Sequence, residues 1–356
     1  MPETIDAGQW NRTLLARQHL LDRVDEEAVE VLDRCVGLQS QDPQAPFVGL
    51  WSRIAGFDPA EVDELLVDRE LVRMALQRGT VFLMDGLDAR WIRSAVQPVL
   101  EAGLRQNHLR RLSADPAQIV EVALSAFGAT EEALPSARIR ELLAAQWPDD
   151  PAEALAAVVR VRLPLVQVPP RGLWRHSGGL SYRLLDDWIG PGEPAVTGDE
   201  AGKDLIRMYL RGYGPATAGA LGVWSGLTGL SGLLREMADD WELVELTGPD
   251  GQALYDLDGL PIVDGATPAP VRLIAPYDNV LVANGDRDRL ADAALYRATV
   301  TPNGRSPGFV LADGRLAGTW AREADRVVLT QLRDLSAAER SAAEGEARML
   351  EDFLAR

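Results

Sequence analysis

"DPAEVDELLVDRELVRMALQRGTVFLMD", residues 58 to 85, changes period halfway along its length. Asp58, Pro59 and Glu61 provide a cap, a first-turn proline and a third-position carboxylate for a helix over 59–67. The following "LVRMALQRGTVFLMD" reads as two strands around a polar turn. Helices expected near 12–22, 26–37 and 44–55 precede it, so a run of helices closes on a hairpin. The plan returns twice. Helices near 116–127, 136–146 and 151–161 lead to the strands "LPLVQVPP" and "LSYRLLD" around the loop "RGLWRHSGG". Helices near 199–211, 215–224 and 228–239 lead to "WELVELTGPDGQALYDL", a hairpin with a Pro-Asp-Gly turn. Helices followed by a hairpin make a winged helix. The sequence therefore predicts an α+β chain of three tandem winged-helix modules over 1–114, 115–190 and 191–270, with 190–198 as a linker. Residues 271–356 alternate like a small antiparallel sheet, with Asn303-Gly304 and Asp313-Gly314 at its turns and a last helix near 336–354, and predict a β-rich cap.

Composition narrows the function. No apolar run reaches the roughly 20 residues that span a bilayer, and the N-terminal stretch has neither a basic region nor an apolar core. A cytoplasmic chain with no membrane partner is expected. The single cysteine, Cys35, excludes an internal disulfide and reads as a small apolar packing residue. With only three histidines, a Cys/His zinc site is not expected. A formal charge of -18 opposes binding to a polyanion unless basic residues converge locally. They are unevenly spread. Residues 159–183 carry Arg160, Arg162, Arg171, Arg175 and Arg183 with no acid, and 90–111 carry Arg90, Arg93, Arg105, Arg110 and Arg111 against Glu101 alone. Either set could face phosphates, or pair with acids elsewhere in the chain.

The chemistry-bearing motifs are mostly missing. No Walker loop, dinucleotide-binding glycine fingerprint, Gly-x-Ser-x-Gly or His-Glu-x-x-His is present, and the only lysine is Lys203. An enzyme working through a Schiff base needs an amine, and almost none is available. What stands out is "VGLQSQDPQAPFVGLW", residues 36–51, where Gln39 and Gln41 lie two apart. A carboxamide is no base near neutral pH, but its carbonyl accepts and its amide donates, so a pair can orient a water. That suffices only when the leaving group is already activated, as in an N7- or N3-alkylated purine, whose cationic ring weakens the glycosidic bond. The same glutamines would equally serve as capping or surface residues. Asp42 is the nearest carboxylate, either an orienting group for the pair or the residue that starts the next helix.

Gln39-Ser40-Gln41, the three-module plan, "VQVPPRGLW" at 166–174, "YDNVLVANGDRDRL" at 277–290 and "DGRLAGTW" at 313–320 together resemble the AlkZ/YcaQ family of DNA glycosylases over nearly the whole chain. In that family a Gln-x-Gln or Gln-x-Asp motif is catalytic. The resemblance, to the Gln-x-Gln branch associated with antibiotic self-resistance, implies a monofunctional DNA glycosylase of base excision repair. It would remove N-alkylated purines from double-stranded DNA, N7-alkylguanine first, and extend to bulky genotoxin adducts or interstrand crosslinks. Gln39 and Gln41 would be the catalytic pair. Arg171, Trp174 and Arg175, and Arg305 from a hairpin around 303–315, would contact DNA. It implies no cofactor and no metal, a monomer, and a place at the nucleoid. Ser40 departs from the family's usual apolar middle residue. Two rival readings keep the same arginines: a winged-helix regulator without catalysis, and a protein that sequesters a genotoxin.

Overall fold

The computed structural model describes residues 2–299, 301 and 305–356. Among the described residues the architecture is mixed α and β, with helices outnumbering strands. The chain forms two compact units, one from 1–57, 203–224 and 228–356, the other from 58–202 and 225–227. Residues 1–114, expected as one module, contribute to both.

The first unit begins with helices Ala7–Arg17, Ala28–Arg34 and Ala45–Trp51. The helix expected over 12–22 starts five residues early, because the Asp6 carboxylate accepts from the Gln9 backbone while the Gln9 side chain accepts from the Asp6 N–H. This reciprocal box satisfies two orphan donors at the true start. Strand Glu3–Thr4 pairs in parallel with Leu243–Thr247, which forms the expected hairpin with Ala253–Leu257. A four-stranded antiparallel sheet follows: Arg272–Ile274, Gly308–Ala312, Arg315–Glu323 and Arg326–Gln331. Asp313 and Gly314 turn between its middle strands, both with positive φ, as a tight hairpin demands. Asn303-Gly304 lies outside the described residues. Helix Ala337–Ala355 packs on this sheet and starts with a Ser336/Glu339 capping box.

The second unit holds five antiparallel strands in the order Val81–Asp85, Leu71–Ala75, Leu165–Gln167, Ser181–Leu184 and Leu134–Pro135. Helix Pro59–Val67 is capped by Asp58 as the sequence suggests, and helices Pro116–Gly128, Ser136–Gln146 and Ala152–Arg162 surround a core of Ile119, Phe127, Leu143, Leu155, Val158 and Tyr182. Two further helices, Gly86–Ala95 and Gln97–Asn107, occupy a stretch noted above only for its charge. Pro98 lies in the first turn of the second, where a missing N–H costs nothing.

A buried polar frame holds the first unit together. Arg53, with no exposed surface, donates both guanidinium nitrogens to Asp278 at 2.8 and 3.1 Å. It also reaches the Gly49 carbonyl at 2.9 Å and the Gln18 side-chain oxygen at 3.3 Å. Gln18 donates to the Gly212 carbonyl at 2.8 Å, and the Tyr213 hydroxyl donates to the Cys35 carbonyl at 3.1 Å. A Cβ at Gly212 would meet the Arg34 carbonyl at 2.2 Å, so only glycine lets this helix approach. Burial disfavours the Arg53 cation, yet the Asp278 charge and its hydrogen bonds prevail and hold it charged above its ordinary range. Cys35, fully buried, has its thiol pushed up to about 11 by that burial. Removing one partner of such a pair strands a buried charge at a cost of about 3–5 kcal/mol. Asp278→Asn is therefore expected to lower thermal stability severely, whereas replacing Arg53 and Asp278 together with apolar residues of similar volume should recover much of the loss. Calorimetry on the single and double variants checks this.

Candidate active site and arginine-rich loop

The Gln39–Gln41 segment is shaped by what precedes it. After helix Ala28–Arg34, Val36 and Gly37 both take positive φ and turn the chain into the short strand Leu38–Gln39. Leu38 packs against Gly49, where a Cβ would come within 3.0 Å of its Cδ1. Gln39 is buried at 9% exposure, Ser40 is fully buried, and Gln41 and Asp42 are exposed. The pair therefore spans the boundary between core and solvent, one amide on each side. Ser40, which departs from the family's apolar residue, occupies a site with no solvent at all. Asp42 lies two residues ahead of Gln44, the N-cap of the next helix: its Oδ1 accepts from the Gln44 N–H at 2.9 Å, and its carbonyl accepts from Ala45 N at 3.1 Å. These bonds turn the chain into helix Ala45–Trp51, whose last turn leads to Arg53 and thence to Asp278.

His19 borders the same frame and adds a pH-sensitive element. Burial first, then the charges of Arg34 and Arg53, bring its pKa down to about 4. Glu26, 3.7 Å from Nε2, would favour the cation but is too distant for a hydrogen bond and half exposed, so burial prevails.

Arg171, Trp174 and Arg175 lie together on the loop between strands Leu165–Gln167 and Ser181–Leu184. Its foundation is a buried arginine. Arg73, 2% exposed, donates to the Arg171 carbonyl at 3.2 Å, and Gly172, at φ 105°, sits so close that a Cβ would lie 2.6 Å from the Arg73 Cδ. Asp63 accepts from the Trp174 backbone N–H at 2.7 Å. Burial raises the Asp63 pKa, and this hydrogen bond works against the rise. Arg175 is exposed at φ 56°, Trp174 is half-buried, and Arg171 donates to the Gly178 carbonyl at 3.3 Å.

The other arginines of 159–183 do not face outward freely. Arg160 pairs with Glu153 at 2.5 Å and Arg162 with Glu101 at 3.1 Å. Arg183 donates to the Thr130 and Glu132 carbonyls and pairs with Asp187 at 3.1 Å. Arg90 and Arg93 are buried as well, Arg90 on Asp186 and the Gly190 and Gly192 carbonyls, Arg93 on Gln97 and the Val161 carbonyl. The acid-free look of these segments in one dimension is undone by acids and carbonyls brought in from elsewhere. Arg305 is exposed, its carbonyl accepting from the Thr301 hydroxyl at 2.6 Å. Trp51 and Trp320 are core residues, Trp51 stacked on Phe353 at 6.0 Å and Trp320 donating to the Ile274 carbonyl at 2.9 Å. The lone lysine, Lys203, pairs with Glu236 at 2.7 Å. Among the described residues no helix is long and apolar enough to cross a membrane.

Comparison with known proteins gives this arrangement its class. The family described as DNA glycosylase AlkZ-like matches residues 32–353, and the chain belongs to it: this is an enzyme, a DNA glycosylase. A curated relative, the "Interstrand DNA cross-link repair glycosylase" of Streptomyces sahachiroi, is 25% identical over 352 residues, covering 94% of this chain and 92% of its own. The solved structure of "Streptomyces sahachiroi DNA glycosylase AlkZ" shares the fold at a TM-score of 0.79 and 23% identity, with 97% of this chain and 95% of that one covered.

The depressed His19 pKa has a thermodynamic consequence. Unfolded His19 takes a proton near its ordinary 6.5 and folded His19 only near about 4, so the unfolded state binds more protons between these values and stability falls as pH drops across that window. Stability is fully present above it. His19→Asn, which tolerates the positive φ of 52° and cannot charge, is expected to lose less Tm than wild type between pH 7 and pH 4. Parallel melting curves test this.

Proposed function

We propose that this glycosylase is monofunctional and hydrolyses the N-glycosidic bond of N-alkylated purines, N7-alkylguanine foremost, with Gln39 and Gln41 holding the attacking water. The observation that carries the reading is the split placement of the pair, a buried amide and an exposed one in a turn fixed by core contacts. A water taken between them would be oriented without being deprotonated. As it attacks C1′, the C1′–N9 bond breaks, its electron pair neutralises the cationic alkylated ring, and the surplus proton leaves to solvent. Asp42, one oxygen engaged by Gln44, is the nearest group that could orient the water or the Gln41 amide. The name of the Streptomyces relative favours interstrand crosslinks among the substrates.

The order helix, short strand, helix, helix and hairpin over 116–184 supports a winged helix for the middle module, and we extend that plan to three tandem modules. Arg171, Trp174 and Arg175 on its wing, with Arg305, would contact double-stranded DNA. With the only lysine engaged by Glu236, hydrolysis should leave an abasic site in an intact strand.

Three experiments test the parts separately. Gln39→Ala and Gln41→Ala are each expected to slow single-turnover excision of N7-methylguanine by about 10²–10³ at nearly unchanged Tm, the usual cost of one oriented hydrogen-bonding group; rates within twofold of wild type would refute the assignment. Borohydride should trap no covalent protein–DNA adduct, and an adduct that survives Lys203→Ala and N-terminal blocking would contradict hydrolysis by water. Replacing Arg171 and Arg175 with alanine should weaken binding to modified and unmodified duplex alike and flatten the slope of log K against log salt by up to about two units. An unchanged slope would remove them from the DNA face.

A further inference from the structure

The chain carries a net charge of -18, so carboxylates outnumber cations. Arg105, Arg110 and Arg111 are nonetheless all exposed, and among the described residues none of the three takes part in an ion pair. They occupy the end of helix Gln97–Asn107 and the 3-10 turn Leu109–Arg111 that continues it. No acid lies between Glu101 and Asp115, and both of these are occupied. Glu101 accepts from Arg162 at 3.1 Å, and Asp115 caps helix Pro116–Gly128 through the Ala117 N–H at 2.9 Å. Arg105 and Arg110, with Gln106 and Leu109, line an open groove of about 500 Å³.

The plainest explanation of a cation at a helix C-terminus is that it complements the macrodipole. That accounts for Arg105 in the last turn. It does not account for Arg110 and Arg111, which follow the helix and whose position is fixed by another element: Asp150 accepts from the Ser113 N–H at 2.8 Å, the Ser113 hydroxyl at 3.0 Å and the Ala114 N–H at 2.9 Å. These bonds, the Ser113 N–H foremost, hold the Asp150 carboxyl below its ordinary range, so the clamp is anionic and permanent near neutral pH. The basic turn is thereby pinned directly beyond its last arginine. Arg105 and Arg110 line one groove and Arg111 adjoins Arg110 in the same turn, so their like charges repel one another. A polyanion would remove that repulsion.

We infer that Arg105, Arg110 and Arg111 form a second contact surface for the DNA sugar-phosphate backbone, apart from the loop of Arg171 and Arg175. This rests on the DNA glycosylase reading and adds to it a sequence-independent grip. The Gln106 amide supplies a further donor, and the groove between Arg105 and Arg110 gives the strand a track. Such a surface contributes equally to lesion and normal DNA, because phosphates carry no information about the base.

The test uses the full chain and an unmodified duplex alongside the same duplex with one N7-methylguanine. Arg105→Gln, Arg110→Gln and Arg111→Gln combined should leave Tm unchanged, weaken binding to both duplexes by the same factor, and reduce the salt slope by up to about 0.9 for each arginine. Single-turnover excision at saturating enzyme should stay at the wild-type rate. Arg348→Gln, on the exposed face of the last helix, controls for net charge and should leave the slope unchanged. Unchanged affinity and slope in the triple variant, or an equal loss in Arg348→Gln, would overturn the surface. Failure of the underlying reading would look different: wild type itself would excise nothing, whatever the triple variant does to binding.

Discussion

The Arg53–Asp278 ion pair is the contact on which the first unit depends. Its partners are 225 residues apart in sequence, and both are sealed from solvent. Around it, Gln18 reaches the Gly212 carbonyl and Tyr213 reaches the Cys35 carbonyl, so five separate stretches of chain share one polar frame. A buried pair of this kind is a poor source of net stability, since an apolar replacement of the same shape is often as good. What it contributes is a fixed arrangement: the carboxylate, amide and carbonyls of these five stretches meet their donors only when all of them are packed together. The glutamine turn is held within that arrangement, four residues after Cys35 and twelve before Arg53.

The same economy of charge runs through the molecule. Arg17 forks onto the buried Asp256 at 2.7 and 2.8 Å, and Arg23 onto Glu346 at 3.1 and 2.8 Å. Arg289, fully enclosed, donates to the Tyr213 and Pro215 carbonyls. Arginine here is chiefly a structural residue, its planar fork suited to carboxylates and carbonyl clusters. A surface that binds DNA must then be sought among the guanidinium groups outside these pairs, and total charge is a poor guide to it.

Much of the secondary structure is legible in the sequence because its signals are local. Asp58, Pro59 and Glu61 mark a helix start within four residues, and the Pro-Asp-Gly turn fixes the hairpin of Leu243–Thr247 and Ala253–Leu257. One element misled for an equally local reason: the Asp6/Gln9 box moved the first helix toward the N-terminus. Helices Gly86–Ala95 and Gln97–Asn107 were read only as a basic stretch. The frame was not legible, because nothing beside Arg53 announces Asp278. "YDNVLVANGDRDRL" carries the family resemblance, and the structure gives it a physical role: Asp278 holds Arg53, Asp286 caps Thr217, and Arg289 gathers carbonyls. The arginine-rich segments were legible as composition but not as surface, since their partners arrive from other parts of the chain. Gln39 and Gln41 were singled out by chemistry, and their division between core and solvent became visible only with the fold.

The central claim is that these two amides act as one unit on one water. Single-turnover excision of N7-methylguanine by Gln39→Ala, Gln41→Ala and the double variant tests it most directly, because groups that share a function are not additive. The account requires the double variant to be about as slow as the slower single variant. Losses that multiply, with the double variant slower by the product of the two single effects, would mean that the glutamines act independently and that no shared water lies between them.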